Sequence, residues 1–332
     1  MKKKNIFVTG GLGFIGSNLT ELLLFKGYKV VVIDFMGIGS NKKNLQGHKN
    51  LILKKLDINS TTTLKNYIKK YKPDCIFNLA AETHVDRSIK NPKPFINSNF
   101  LGTFNLIETL RNLKLKKNFK FIHVSTDEVF GDISLKKKST ENDPYNPSSP
   151  YASTKAAADL LIRSYFKTYK FPCIITNCTN NFGPKQFQEK LIPKIILNTL
   201  NNKNIPIYGN GKNQREWLYV KDHCKILLKL FRNGKLGENY NIGSGFVKNN
   251  LYIAKKILSI TKKKFNIKSK SKIIFVKDRK GHDFRYSLNS NKLNRIYNLK
   301  INQNFDKSII KTIEWYIQNY YLTNKNKNLN DK

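Results

Sequence analysis

The sequence predicts an α/β protein built on a parallel sheet and followed by a smaller second domain. Three observations carry that expectation. From residue 5 to about residue 180, short apolar runs of strand length alternate with amphipathic stretches of helix length, the pattern of βαβ units. A glycine-rich turn sits at the first strand-to-helix junction. The chain has 332 residues, 39% of them hydrophobic and 12% aromatic, ample for a large core and between one big domain and two.

Taken in order, 5–9 reads as a strand, 14–26 as a helix, and 29–34 and 51–56 as strands. A helix at 61–71, a strand at 75–80, a long helix near 94–113, a strand at 119–125, a helix at 151–169 and a strand at 173–178 continue the series. All ten prolines fall between 73 and 206, and three of them, in the segment Pro144 to Pro150, mark a shaped loop before the helix that opens at Tyr151. Beyond about 180 the regularity loosens. Helices near 187–200, 220–233, 249–262 and 304–322 are interspersed with short strands at 205–208, 238–242 and 272–277. The expected division is a first domain of residues 1–184 plus about 213–245, a second of 185–212 plus 246–322, and a polar tail at 323–332 that frays.

Composition excludes several classes. No stretch approaches the roughly 18 consecutive apolar residues of a membrane span. The lysines after Met1 resemble a secretory start, but the apolar run Ile6-Phe7-Val8 breaks at Thr9-Gly10-Gly11, so a cytoplasmic protein is expected. Cys75, Cys173, Cys178 and Cys224 are scattered without a Cys-x-x-Cys pair, and the five histidines have no ligand spacing, so no metal and no disulfide framework is assigned. With 61 Lys+Arg against 22 Asp+Glu the net charge is +39, which alone would point to nucleic acid. The lysines are spread over almost every segment with no basic tail or recognition pattern. They read as a solvated surface, with no specific nucleic-acid partner. The few acids are more telling, because Asp34, Asp57, Glu82, Asp86, Asp127 and Glu128 all fall inside motifs.

Gly10-Gly11-Leu12-Gly13-Phe14-Ile15-Gly16 follows the first strand and opens the first helix. Missing side chains let the backbone turn tightly against a pyrophosphate held at the helix N-terminus. The second strand ends at Asp34, 18 residues past Gly16, where a carboxylate can accept both ribose hydroxyls and repels a 2′-phosphate. NAD is therefore the expected cofactor; Lys42 and Lys43 are the nearby feature that suits NADP.

Tyr151-Ala-Ser-Thr-Lys155 opens a helix and puts Tyr151 and Lys155 one turn apart on the same face. An ammonium near a phenol is expected to lower its pKa from about 10 and make a usable base. Just upstream, the strand ending in Ser125-Thr126 runs into Asp127-Glu128. Two adjacent carboxylates can serve as acid and base, and mutual repulsion is expected to leave one protonated and one ionised.

Together the glycine turn, the Tyr-x-x-x-Lys pair and the Ser-Thr at the preceding strand end resemble the extended short-chain dehydrogenase/reductase superfamily, which implies a Rossmann-type doubly wound sheet. His123-Val-Ser-Thr-Asp-Glu-Val-Phe-Gly131, Asn78-Leu-Ala-Ala-Glu-Thr-His-Val-Asp-Arg-Ser88, Asn180-Asn-Phe-Gly-Pro184, Glu189-Lys-Leu-Ile-Pro193, Pro206-Ile-Tyr-Gly209, Arg215-Glu-Trp-Leu-Tyr-Val-Lys-Asp-His223 and Arg279-Lys-Gly-His-Asp283 narrow the match. In order and spacing, over about residues 4 to 322, they resemble the dTDP-glucose 4,6-dehydratases.

The resemblance implies a lyase in which Thr126 hydrogen-bonds the substrate, Asp127 is the acid, Glu128 takes the carbon-5 proton and Tyr151 takes the 4-hydroxyl proton, with Lys155 beside it. It implies that Asp57, Ile58, Leu79, Ala80, Thr83, Ser98 and Asn181 join Gly10, Gly13, Phe14, Ile15, Gly16, Asp34, Tyr151 and Lys155 around NAD. Thr83, His84, Asn180, Lys190, Leu191, Pro206, Tyr208, Arg215, Asn250, Arg279 and His282 would hold the nucleotide-sugar substrate, and a homodimer would form through the helices at 94–113 and 151–169. Thr83, Phe182 and Lys280 stand where Ser, Tyr and Pro are usual, and the loop Phe35 to Asn41 departs further. The same chemistry on UDP-glucose, a UDP-sugar epimerase or decarboxylase, and a non-catalytic nucleic-acid binder are the rival readings. Asp127 and Glu128 weigh against the epimerase, and the intact catalytic set against the binder.

Overall fold

The structure is a computed structural model that describes residues 4–45, 47–298 and 304–330, with side chains as far as residue 320. Its strands are β1 (Asn5–Thr9), β2 (Lys29–Asp34), β3 (Leu51–Lys55), β4 (Cys75–Asn78), β5 (Lys120–Thr126), β6 (Cys173–Cys178), β7 (Asn180–Phe182), β8 (Ile205–Tyr208), β9 (Gln214–Tyr219), β10 (Asn239–Ile242), β11 (Val247–Asn249) and β12 (Ile273–Val276). The helices are α1 (Phe14–Phe25), α2 (Thr61–Tyr71), α3 (Val85–Lys90), α4 (Lys93–Phe95), α5 (Gly102–Arg111), α6 (Pro150–Tyr169), α7 (Leu191–Leu200), α8 (Val220–Asn233), α9 (Asn250–Phe265), α10 (Asn291–Tyr297) and α11 (Phe305–Asn330).

Seven strands form one parallel sheet in the order β10-β6-β5-β4-β1-β2-β3. Both faces of its central strands are buried, so these are apolar runs whose successive residues feed opposite cores, while the edge strand β3 is only partly covered. Ile6 and Val8 of β1, Val30 and Val32 of β2, and Cys75 and Phe77 of β4 pack with Leu19 and Leu23 of α1 and Leu227, Leu230 and Phe231 of α8. Phe7, Val31, Ile33 and Ile76 face the other way, against Leu64 of α2, Leu106 and Leu110 of α5, and Ile162 of α6. The order reverses between β1 and β4, and that crevice is where such sheets bind ligands.

A second unit surrounds a core of Ile195 and Ile196 from α7, Ile205 and Ile207 from β8, Trp217 from β9, Ile253 and Ile257 from α9, and Ile309 and Ile313 from α11. It carries a three-stranded sheet, β11-β9-β7, and a parallel pair, β12-β8. Residues 291–297 pack elsewhere: Leu293 and Tyr297 lie in the α1/α8 core of the large sheet.

Several elements differ from those expected. The long helix near 94–113 is α4, a π-helical stretch at Ile96–Leu101 and α5 in series. The helix expected from 187 starts at Leu191. Strands β7, β9 and β11 and the short helices α3 and α10 have no counterpart in the sequence expectation, being three to seven residues long with no periodicity to read. The segment expected as a frayed tail continues α11 as helix to Asn330, and residues 331 and 332 lie outside the described residues. Among the described residues no helix is long and apolar enough to cross a membrane, no cluster of His, Cys, Asp or Glu could hold a metal, and all four cysteines are free and buried.

Candidate active site

A cleft of about 440 Å³ opens at the reversal between β1 and β4. Its floor is the glycine turn. Gly10 has φ +66°, and a Cβ there would come within 2.8 Å of Ala80 N and Leu79 O, so the turn lies flush against the end of β4. At Gly16 a Cβ would stand 2.2 Å from Gly10 O, so glycine alone lets α1 start this close to the loop. The N-cap of α1 is Gly13, without a side-chain cap, and the first-turn amides face the cleft as a ready anion site.

All fifteen residues expected around NAD line this one cleft: Gly10, Gly13, Phe14, Ile15, Gly16, Asp34, Asp57, Ile58, Leu79, Ala80, Thr83, Ser98, Tyr151, Lys155 and Asn181. Asp34 is more engaged than its sequence position conveys. Its Oδ2 accepts from Leu12 N at 2.9 Å, and its Oδ1 from Met36 N and Ser40 Oγ, both at 2.7 Å. The loop after β2 is thus folded around the carboxylate, with Phe35, Ile38 and Ser40 also lining the cleft, and Met36 held at φ +64°.

The chemistry-bearing residues enter from β5 and α6. Thr126 ends β5 and caps a 3₁₀ turn at Asp127–Phe130, accepting from Glu128 N at 3.3 Å while its hydroxyl donates to Asp127 Oδ1 at 3.2 Å. Helix α6 is started by Ser149, which accepts from Ala152 N, with Pro150 in the first turn, and this places Tyr151 and Lys155 on the buried side. Thr126, Asp127, Glu128, Tyr151 and Lys155 all line the cleft.

Their electrostatics correct two expectations. Both carboxyls are raised, not one, and burial is the main cause for each. Asp127 is pushed up further, because Glu128 and Glu216 add repulsion and its Oδ2 is buried with no hydrogen-bond partner among the described residues. Glu128 is pulled back by the positive charges of Arg279, Arg215 and Lys190. The phenol of Tyr151 is not lowered; burial and the negative charge of Glu128 push it well above the usual range. Lys155 turns its amine to Val124 O at 2.9 Å and His123 Nε2 at 3.3 Å, and burial lowers it to about 8.

Of the other expected substrate residues, Thr83, Asn180 and Lys190 line the cleft, with Lys190 Nζ donating to Thr83 O at 2.7 Å. His84 caps α3 and lies 3.7 Å from Glu189. Tyr208, Arg279 and His282 gather just outside. Tyr208 donates to Asp86 Oδ2 at 3.0 Å, Arg279 lies 3.9 Å from Asp86 Oδ1, and the rings of Tyr208 and His282 meet edge to face. Arg215 is buried over the Tyr286 ring, donating to the carbonyls of Gln214, Asp283 and Phe284. Leu191 and Asn250 are the first residues of α7 and α9, and Pro206 lies within β8; none of these three lines the cleft. Glu82, Arg87 and Glu189 line it without having been assigned a role, although each sits inside a quoted motif, and Arg87 closes on Glu189 at 2.7 Å.

A protein-family model described as GDP-mannose 4,6 dehydratase matches residues 7–312. The dTDP-glucose 4,6-dehydratase of Haemophilus influenzae is 40% identical over 332 residues, spanning 95% of this chain and 98% of that protein. The chain belongs to the dTDP-glucose 4,6-dehydratase family. The fold expected from the motifs is borne out as well. A dTDP-glucose 4,6-dehydratase from Bacillus anthracis, solved in complex with NAD, superposes with a TM-score of 0.86 at 37% identity, covering 95% of this chain and 97% of that one. Another from Streptomyces venezuelae, also with NAD bound, gives 0.88 at 35% identity with the same coverage.

Proposed function

We propose that this protein dehydrates dTDP-glucose to the 4-keto-6-deoxy sugar, using NAD as a resident cofactor that is regenerated each turnover. The single observation that carries the reading is the pair Asp127 and Glu128, set on a buried turn beside Tyr151 within a cleft floored by the glycine cradle. The residues present fit NAD: a backbone surface that side chains would block, uncapped amides at α1, and Asp34 at the end of β2. NAD, when bound, accepts the hydride of carbon 4 and returns it to carbon 6.

The chain's own residues handle the protons. Tyr151 takes the 4-hydroxyl proton, with Lys155 one turn along α6 supplying the positive charge that this step needs and Thr126 directing the hydroxyl. The resulting ketone acidifies carbon 5, and Glu128, the less perturbed of the two carboxyls, removes that proton and later returns it. Asp127, kept protonated by burial, has its unpaired Oδ2 available to protonate the leaving 6-hydroxyl. Lys190, Arg215 and Arg279 hold the diphosphate side, where three cations also suit two phosphates.

The test is a side-by-side assay of dTDP-glucose, UDP-glucose and GDP-mannose, with substrate deuterated at carbon 4. The expected product comes from dTDP-glucose without added reductant and carries the label at carbon 6. Stoichiometric accumulation of NADH, or label lost to solvent, overturns the reading.

The protein is a homodimer in this reading, formed by a second copy over the adjoining π-helical stretch, α5 and α6, where Ile96, Leu101, Phe104 and Leu160 are exposed. Light scattering should give twice the 38.5 kDa chain mass, and Leu160→Glu should reduce it. A reducing compartment, the cytoplasm, suits four free buried cysteines. No specific nucleic-acid partner is assigned: the scattered lysines predict only weak binding that salt abolishes.

A further inference from the structure

Around Lys155 lies a buried polar array, from β4, β5, β6 and α6, whose members His123 and Asp159 have no part in the reaction above. Lys155, His123 and Asp159 are each at most 2% exposed. His123 Nε2 lies 3.3 Å from Lys155 Nζ and 3.5 Å from Asp159 Oδ1. The tautomer follows from the next partner. Asn78 turns its Oδ1 to the hydroxyl of Thr9 at 2.7 Å, so its amide nitrogen donates to His123 Nδ1 at 3.0 Å, and the imidazole proton sits on Nε2, where Asp159 Oδ1 is the acceptor it faces; the Lys155 amine donates instead to Val124 O.

Burial raises the Asp159 carboxyl, and Lys155 together with the side chains of Ser125, Tyr145 and Asn177 works against that rise and favours the anion. Asp159 Oδ2 accepts three hydrogen bonds, from Ser125 Oγ at 2.7 Å, Tyr145 OH at 3.0 Å and Asn177 Nδ2 at 3.2 Å. Three donors on one buried oxygen leave no place for a proton there. Its Oδ1 has no hydrogen-bond partner among the described residues and faces the imidazole. An unpartnered charged oxygen in a closed interior is costly unless a cation answers it, and Lys155 is that cation.

We propose that Asp159 and His123 are positioning residues for Lys155: the carboxylate supplies the counter-charge that keeps the amine protonated, and the imidazole, its N–H turned to that carboxylate, packs against the amine and leaves it to donate to the Val124 carbonyl. The other titratable group acting on the amine is Cys178 from β6, whose burial keeps it neutral; Asp127 and Glu128 act on the Tyr151 phenol rather than on the amine. Asn78 from β4 is uncharged. Burial lowers Lys155 to about 8 while Asp159 works in the opposite direction. Removing the Asp159 charge therefore lowers it further, and whatever depends on the ammonium is lost at a lower pH as pH rises.

The kinetic half of the test rests on the dehydratase reading; the binding half does not. NAD affinity, followed by fluorescence quenching, and kcat with dTDP-glucose are measured against pH for the wild type and Asp159→Asn. The expected result is an alkaline limb displaced by about one pH unit to lower pH in both, with the acid side close to wild type. A limb that stays in place while activity drops uniformly overturns the proposal and leaves Asp159 a structural residue. Should Asp159→Asn not fold, Asp159→Ser removes the same charge with a smaller side chain and is expected to move the limb the same way; an unmoved limb in that variant overturns the proposal too. A wild type that binds NAD but makes no product sinks the dehydratase reading alone.

Discussion

The two ends of the cleft are built in different ways. At the β5/α6 end every chemistry-bearing side chain comes from two continuous stretches, Thr126 to Glu128 and Tyr151 to Lys155, fixed by a strand end, a capped turn and a capped helix. At the far end the expected nucleotide-sugar residues come from short separate segments on β8, β9, the start of α9 and the loop after β12, held by contacts between distant parts of the chain such as Tyr208 with Asp86 and Arg87 with Glu189. The first arrangement is rigid before any ligand arrives, whereas the second depends on tertiary closure. Substitutions at the first end should therefore act on kcat, and those at the second on KM and on pH dependence.

The sharpest test of that contrast is Glu128→Gln, which keeps the volume and removes the base. It should lower turnover by about 10²–10⁴-fold and abolish carbon-5 exchange with deuterated solvent while NAD still binds. If exchange persisted, the carboxylates would be structural and the comparison would collapse. Next comes Gly16→Ala. The added methyl meets Gly10 O at 2.2 Å, within the backbone of the turn, so a loss of about 1–3 kcal/mol is expected, read as a lower Tm and weaker NAD titration.

Arg279→Gln probes the far end. Arg279 is the leading charge that pulls Glu128 down against burial, so its loss raises the Glu128 pKa. A proton acceptor works ionised, and its activity is lost as pH falls through its pKa. The acid limb of kcat should therefore move to higher pH, together with a rise of about tenfold in KM from the lost charged contact. A KM change with an unmoved acid limb would show that the two ends are electrostatically independent. The smallest effect belongs to Tyr208→Phe, which removes one exposed hydrogen bond to Asp86. It should cost about 0.5–1.5 kcal/mol in substrate affinity and leave kcat unchanged.

The same contrast explains what could be read from the sequence. The glycine turn, Asp34, the Thr126 to Glu128 run and the Tyr151/Lys155 pair are local patterns whose geometry follows from a strand, a turn or one helical repeat, and the structure places all of them in one cleft. Strands β7, β9 and β11 carry no such signal, since Asn180–Phe182 or Val247–Asn249 becomes a strand only because β9 lies beside it. The electrostatics were the least legible. Adjacent side chains in the sequence point to repulsion between Asp127 and Glu128, yet burial dominates both, and burial is a property of the assembled fold. The direction of the Lys155 amine likewise could not be read from its spacing to Tyr151, because His123 and Val124 meet it from β5.

The return of α10 to the larger sheet has a consequence for how the protein comes into being. Leu293 and Tyr297 complete the core beneath α8 and β10, where the Tyr297 hydroxyl meets that of Tyr240 at 3.3 Å and the carbonyl of Asn233 at 3.1 Å. During synthesis, then, a ribosome that has already released the glycine turn and both catalytic stretches still holds the residues that seal the sheet behind them. The NAD-binding half is therefore expected to complete its core only after residue 297 has emerged.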